Sequence, residues 1–126
     1  MNAPRKLLFI LFSDDACRLN HALLYAIDLH RQGIATVRVI IEGTATAALG
    51  RLPDESSRTA RLLREAIDLG LVAGACKTAS AGCSTGDPDR QVTEVFVELG
   101  LELLDGLDGH AGVSPYVLEG YELVTF

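Results

Sequence analysis

The stretch of sequence that decides the fold is KLLFILF, residues 6–12, and it is followed by the polar residues Ser13, Asp14 and Asp15. An apolar run of this length, closed by polar residues, is typical of a strand buried on both faces of a parallel sheet. Residues 15–31 then carry apolar side chains at helical spacing, and Gly33 stands where a helix commonly ends. Ala35–Ile41, ATVRVII, is rich in β-branched residues and predicts a second strand. This order predicts a β-α-β unit.

The rest of the chain continues the same alternation. We expect helices over residues 44–50 and 56–69, a turn at 52–54 between them, and a third strand over 71–75. Asp87-Pro88 is expected to begin a further helix, because proline fits a first helical turn and apolar residues follow at helical spacing. The last third predicts a strand over 101–104, a glycine-rich loop over 105–112, a helix over 114–120 and a strand over 121–126. We therefore expect one domain, 1–126, with an α/β three-layer sandwich fold, a mostly parallel five-stranded sheet and right-handed crossovers.

Composition and charge limit the classes of partner. The chain has 126 residues, of which 48% are hydrophobic and 22% charged, a balance typical of a chain that folds around a filled core. Seventeen acidic and eleven basic side chains give a formal net charge of −6. This charge opposes binding to nucleic-acid phosphates and to an anionic membrane surface. We therefore expect no nucleic-acid partner and no membrane partner.

The cysteine count and the amino-terminal sequence indicate a compartment. The first apolar run is too short for a secretory signal and ends in charge rather than in a small-residue cleavage pattern. No other apolar stretch is long enough to span a bilayer. We expect a cytoplasmic location, where thiols stay reduced. The three cysteines, Cys17, Cys76 and Cys83, are then free thiols rather than a disulfide framework.

The candidate site residues follow the predicted strands. Ligands in parallel α/β sheets bind beyond the carboxyl ends of the strands, a side of the sheet that we call the carboxyl edge. The predicted strand ends place residues 13–17, 42–44, 76–82 and 105–110 there. The candidate catalytic residues are Cys76 and Lys77, and the candidate binding residues are Ser13, Cys17, His21, Glu42, Thr78 and His110. The carboxylates Glu42, Asp105 and Asp108 could serve as acids or bases, or could be solvated side chains and helix caps.

Cys76 is the strongest candidate for chemistry. It lies in GACKTASAGC, residues 74–83, where small neighbours allow backbone N–H groups to approach its sulfur and Lys77 is adjacent. A helix that begins after it would also favour the thiolate. The alternative is an inert cysteine that is buried in a tight turn, as free cysteines often are.

Cys17 and His21 form a second candidate pair. Cys17 lies in the first turn of the predicted helix, and His21 is four residues later and so on the same face. They could be a thiolate and an imidazole, two metal ligands, or a partly buried cysteine and a histidine at a subunit contact. A metal or small-ligand site built from Cys17, His21, Cys76 and His110 is a minor alternative. Cys76 and Cys83 are seven residues apart, outside the usual spacing of paired zinc cysteines.

Cofactor fingerprints are missing from the sequence. It contains neither G-x-G-x-x-G nor G-x-x-x-x-G-K-[ST]. Residues 106–112, GLDGHAG, are glycine-rich in another pattern and predict a flexible loop. We expect no cofactor and no resident metal.

Taken together, the segments resemble the DsrE/DsrF-like proteins, small α/β domains of bacterial and archaeal sulfur metabolism. The similar segments are KLLFILFSDD (6–15), HALLYAIDLHRQG (21–33), VRVIIEG (37–43), LVAGACKTASAG (71–82), LLDGLDGH (103–110) and YVLEGYELVTF (116–126). The chain looks closest to a small cytoplasmic subgroup with a cysteine after the third strand and a Gly-His after the fourth.

The resemblance implies both a fold and an activity. The fold would be a flavodoxin-like or Rossmann-like sandwich that assembles into homotrimers or hexamers. In the active relay members a cysteine after the third strand carries sulfane sulfur as a persulfide, and Cys76 matches that position. Relatives often have a second cysteine three residues later, where this chain has Ala79, so Cys17 or Cys83 would have to supply a second thiol.

Two functions of different class follow. The first is a sulfur carrier or sulfurtransferase, in which Cys76 takes a sulfur atom from a donor persulfide and passes it to an acceptor thiol, with Lys77 stabilising the charge. Its partners would be sulfur donor and acceptor proteins or small thiols. The alternative is a non-catalytic binding or assembly subunit with a structural cysteine. Clustered apolar residues in the last third also predict a homo-oligomer: Leu99, Leu101, Leu103, Leu104, Leu107, Val113, Tyr116 and Tyr121.

Overall fold

The computed structural model describes residues 4–51 and 57–126, which form five strands and six helices. The strands are β1 (Arg5–Leu11), β2 (Ala35–Ile41), β3 (Val72–Cys76), β4 (Leu103–Leu104) and β5 (Glu122–Thr125). The helices are α1 (Ala16–Arg31), α2 (Ala45–Gly50), α3 (Arg58–Asp68), α4 (Lys77–Gly82), α5 (Val92–Glu98) and α6 (Ser114–Leu118). The predicted α/β class is confirmed.

All strand pairs of the sheet are parallel, and the strand order is β4-β3-β2-β1-β5. The central pair is β1 with β2, in register from Arg5 opposite Ala35 to Leu11 opposite Ile41. The chain adds β2, β3 and β4 in one direction and then returns to place β5 on the other side of β1. Helices flank this sheet, so the predicted three-layer sandwich with a five-stranded parallel sheet is confirmed.

Most of the core lies on one face of the sheet. There Leu7, Phe9 and Leu11 of β1 pack with buried residues of α1, α2, α3 and α5. Asp15 caps the start of α1, because its carboxylate accepts a hydrogen bond from the Arg18 amide, and the helix buries an apolar stripe of five residues. Within 4–51 and 57–126, no helix combines the length and apolar character needed to cross a membrane.

The other face has a smaller core. The alternate residues Leu8 and Ile10 of β1, with Ile40 of β2, pack against Cys76 and Ala111. The cover over this face comes from residues after β4, including the five-residue helix α6, which buries none of its own residues. Several large apolar side chains consequently stay exposed near this cover: Leu107 (59%), Val117 (52%), Leu118 (87%) and Leu123 (44%).

Some predicted boundaries are wrong. Asp87-Pro88 begins no helix: the Asp87 carboxylate accepts the Asp89 amide, its carbonyl accepts the Arg90 amide, and α5 starts only at Val92. These local hydrogen bonds form a turn that competes with helix formation. The fourth strand is two residues long instead of four. The predicted turn at 52–54, and Ser56 as the start of the third helix, lie outside the described residues.

Candidate functional site

The site lies between the carboxyl ends of β3 and β4, where the path of the chain changes face. The chain that follows β3 leads to α5, whose Val92 and Phe96 pack in the larger core. The chain that follows β4 leads to Ala111 and Tyr116, which pack in the smaller core. Adjacent strands whose connections leave on opposite faces open a crevice at the carboxyl edge, the usual ligand position in open α/β sheets.

Strand register brings Glu42 next to Cys76. Ile41 of β2 pairs with Ala75 of β3, so the following residues of the two strands are also neighbours. Side chains alternate along a strand, and Glu42 therefore lies on the same face as Ile40, the face on which Cys76 is buried. On its other side Cys76 pairs with Leu104 of β4.

The backbone of β3 is adapted to a close approach of β4. Val39 pairs with Val72 and Ile40 with Gly74, which leaves Ala73 as the extra residue of a β-bulge. A Cβ atom on Gly74 would lie 2.4 Å from the Glu102 carbonyl oxygen. Glycine at this position thus allows β4 to pair alongside β3, and β4 in turn sets where the next loop begins.

The segment after β4 contains a tight turn that carries His110. Leu107 and His110 exchange two backbone hydrogen bonds of 2.9 Å, and between them Asp108 has φ 50° and Gly109 has φ 89°. An Asp-Gly pair with two positive φ angles is the sequence and geometry of a type I′ turn. Residues 107–110 are therefore an ordered turn rather than the flexible loop that the glycines predicted.

Helix α4 fixes this turn over Cys76. The Thr78 hydroxyl donates to the Gly109 carbonyl at 2.7 Å, and the Thr78 amide donates to the same oxygen at 3.2 Å. The Lys77 ammonium lies 3.7 Å from an Asp105 carboxylate oxygen, with both side chains exposed. The two candidates Lys77 and Thr78 thus contact the loop after β4, and Thr78 binds the turn that places the imidazole.

The Cys76 sulfur is enclosed by an imidazole and backbone amides. Its side chain is fully buried, and its Sγ lies 3.5 Å from His110 Nδ1 and 3.5 Å from the Ala79 amide nitrogen. The Cys76 carbonyl accepts the Ser80 hydroxyl at 2.6 Å, which holds the start of α4. His110 itself is exposed, so its ring contacts both the buried thiol and the solvent.

Burial raises the pKa of the Cys76 thiol above its ordinary value. The amides of Ala79 and Ala111 oppose this shift, while a hydrogen bond and the charge of Glu42 add to it. The sequence-based interpretation of Cys76 as a low-pKa thiolate is therefore wrong for this arrangement of the site. The raised pKa favours the neutral thiol, so a neighbouring base would have to remove its proton before it could act as a nucleophile.

Glu42, Cys76 and His110 come together as one cluster, with one potential ligand atom from each within 4.8 Å of the others. Within the described part of the chain, this is the group of three His, Cys, Asp or Glu side chains that lie close enough to share a metal ion. The minor alternative raised from the sequence, a metal or small-ligand site built from Cys17, His21, Cys76 and His110, is not found among the described residues. We call Glu42, Cys76 and His110 the thiol cluster.

Cys17 and His21 form a separate surface pair. Cys17 is exposed, not partly buried, and its Sγ lies 3.6 Å from His21 Nδ1. His21 Nδ1 is also 2.7 Å from the Cys17 carbonyl oxygen. Because a carbonyl oxygen only accepts hydrogen bonds, the imidazole N–H is the donor in this contact. The Ser13 hydroxyl accepts the Asp15 amide at 3.0 Å and so supports the start of α1. Cys83 is half-buried, with Sγ 4.0 Å from the Gly43 carbonyl oxygen.

The sequence analysis did not predict every part of the site. The amides of Ala79 and Ala111 were not assigned, and Glu42 was not paired with Cys76. The Asp108-Gly109 dipeptide was the available signal for the turn, because it is a strong hairpin sequence. The pairing of Glu42 with Cys76 could have been found by aligning the predicted strand ends, since both residues directly follow buried apolar positions.

Comparison of this chain with protein-family models, with curated proteins and with solved structures finds no match in any of the three.

Proposed function

We propose that the protein is a sulfur carrier that holds sulfane sulfur as a persulfide on Cys76, as its resemblance to the DsrE/DsrF-like proteins implies. The observation that supports the proposal is the thiol–imidazole pair at the crevice, with 3.5 Å between Cys76 Sγ and His110 Nδ1. A thiol of raised pKa needs a base, and an imidazole within hydrogen-bond reach is the usual one.

The protons and bonds of the loading step can all be accounted for with the thiol and the imidazole at the site and with the donor persulfide. In the tautomer that carries its proton on Nε2, His110 accepts the Cys76 proton at Nδ1. The thiolate attacks the outer sulfur of a donor persulfide, so a new sulfur–sulfur bond forms at Cys76 while the donor's sulfur–sulfur bond breaks. The donor leaves as a thiolate and takes the proton from His110. Amides of Ala79 and Ala111 stabilise negative charge on the sulfur during the exchange.

Unloading runs the same chemistry in the other direction. His110 takes the proton of an acceptor thiol, and the resulting thiolate attacks the outer sulfur of the Cys76 persulfide. The sulfur–sulfur bond at Cys76 breaks as the new one forms on the acceptor, and the Cys76 thiolate takes the proton back from His110. Because Cys76 is fully buried, both steps require the turn at 107–110 to move. The partners in this scheme are donor and acceptor proteins or small thiols in the cytoplasm.

A second candidate is a non-catalytic assembly subunit in which Cys76 is structural. The observation that favours it is the complete burial of Cys76 together with its raised pKa, both ordinary for an inert core cysteine. Association of copies into a trimer or hexamer fits both candidates. The exposed apolar side chains of Leu107, Val117, Leu118 and Leu123 would supply its contact surface.

Intact-mass spectrometry after incubation with a small persulfide donor tests the first candidate. We expect the wild-type chain to gain the mass of one sulfur atom and Cys76→Ser to gain none. Cys17→Ser and Cys83→Ser are matched controls that keep the gain. His110→Asn should load more slowly, because the thiol then lacks its base. Loading that survives in Cys76→Ser would exclude Cys76 as the carrier, and no loading in any chain would favour the assembly subunit.

A further inference from the structure

The thiol cluster has the composition of a transition-metal site. It offers one sulfur, one imidazole nitrogen and one carboxylate oxygen, from the ends of β2 and β3 and from the turn after β4. Thiolate, imidazole and carboxylate are the three protein ligand types of zinc sites. We propose that Glu42, Cys76 and His110 bind one Zn²⁺ ion, a role separate from persulfide transfer at the same cysteine.

The distances within the cluster suit tetrahedral coordination. Sulfur and nitrogen ligands at about 2.3 and 2.0 Å from a zinc ion, separated by a tetrahedral angle, lie roughly 3.5 Å from each other. Cys76 Sγ and His110 Nδ1 are 3.5 Å apart, so a zinc ion binds both with little movement of either. A Glu42 carboxylate oxygen lies within 4.8 Å of Cys76 Sγ and of a His110 ring nitrogen, and it completes a set of three potential ligands.

Charge balance also favours a divalent cation. One thiolate and one carboxylate together neutralise an ion of charge +2, and buried charges in proteins are commonly paired or bound to a metal. Binding converts the Cys76 thiol to a metal-bound thiolate and releases one proton to solvent. Glu42 is oriented for this role, because one of its oxygens already accepts the Gly43 amide at 2.9 Å. Since His110 is exposed, solvent water reaches the fourth position.

The surface pair Cys17 and His21 has a similar geometry to Cys76 and His110 but lacks a third potential ligand. Their Sγ–Nδ1 separation of 3.6 Å is nearly the same. However, His21 Nδ1 is engaged with the Cys17 carbonyl at 2.7 Å, and no group of three potential ligands among the described residues includes either side chain. A Cys–His pair at similar separation is therefore available in the same chain as a control without a third ligand.

Titration of chelator-treated protein with Co²⁺, followed by displacement with Zn²⁺, tests the proposal. We expect one Co²⁺ per chain, with the intense visible bands of a tetrahedral ion and a thiolate-to-cobalt charge-transfer band in the near ultraviolet. Cys76→Ser should lose the charge-transfer band. Glu42→Gln should bind Co²⁺ at least tenfold more weakly while its circular dichroism stays that of the wild type. Cys17→Ser should match the wild type.

The outcomes separate this proposal from the persulfide carrier. Absence of the charge-transfer band in the wild type, its survival in Cys76→Ser, or unchanged Co²⁺ affinity in Glu42→Gln overturns the zinc site. Each of these results leaves the mass-spectrometric test of sulfur loading unaffected. Conversely, a chain that binds Co²⁺ through Cys76 but never gains sulfur retains the metal site and loses the carrier function.

Discussion

Replacement of Gly109 by alanine tests whether the turn at 107–110 holds the imidazole against the thiol. Gly109 has φ 89°, and a Cβ atom there would lie 2.8 Å from the Thr78 hydroxyl oxygen. Alanine therefore adopts a left-handed conformation and displaces the hydroxyl that donates to the Gly109 carbonyl. The conformational strain costs about 1–2 kcal/mol and the lost hydrogen bond about 0.5–1.5 kcal/mol. We expect the free energy of unfolding to fall by roughly 1.5–3.5 kcal/mol.

Two measurements check this expectation. Urea denaturation gives the free energy of unfolding, and alkylation of the native protein by a small uncharged reagent, read by peptide mass, gives the accessibility of Cys76. Alkylation of Cys76 should become faster relative to Cys83, because the displaced turn uncovers its sulfur. Gly106→Ala is the matched control: a Cβ there meets no atom within 4 Å, and its effect should stay within about 0.5 kcal/mol. If the Gly109→Ala and Gly106→Ala variants have the same stability and the same Cys76 reactivity, the turn at 107–110 does not hold the imidazole against the thiol.

Two further predictions concern the same strand end. Gly74→Ala should lower the free energy of unfolding by about 1–3 kcal/mol, because its Cβ would meet the Glu102 carbonyl and force β3 and β4 apart. Urea denaturation measures this change, and a variant as stable as the wild type would contradict the contact. The wild type should also lose stability as pH rises above the ordinary thiol pKa of about 8.5, because the unfolded chain ionises Cys76 while burial keeps the folded thiol neutral. Urea denaturation of wild type and Cys76→Ser across this range measures it, and equal slopes would refute the raised pKa.

The fold was predictable where a segment's own pattern determines its structure. The apolar run that became β1 and the β-branched run that became β2 are buried as expected, and the crossover rules then leave few possible topologies. Prediction was wrong where local hydrogen bonds compete. Leu101 was assigned to the fourth strand, yet its amide donates to the Phe96 carbonyl at 2.9 Å and so closes the end of α5. Only the two residues after Glu102 remain to form β4.

The candidate site was predictable by position but not by chemistry. Cys76, Glu42 and His110 were all placed at the carboxyl edge from the strand ends, and the structure brings these three together. The direction of the Cys76 pKa shift was not predictable, because it depends on how completely the small core covers the sulfur. Cys17 was grouped with them for the same positional reason, but it lies exposed beside His21. Position along a strand says which edge a residue occupies, not what surrounds it.

Glu42 distinguishes the two roles proposed for the thiol cluster, because its charge acts on them in opposite directions. Burial is the main cause of the raised pKa of Cys76, and the hydrogen bond and the charge of Glu42 add to it. Replacement by glutamine removes the charge, so Cys76 in Glu42→Gln should be alkylated faster at neutral pH and should load sulfane sulfur at least as fast as in the wild type. The same substitution removes an anionic ligand and should weaken Co²⁺ binding. Slower sulfur loading in Glu42→Gln, with unchanged stability in urea, would contradict the effect assigned to its charge, whereas unchanged Co²⁺ affinity would contradict its role as a metal ligand.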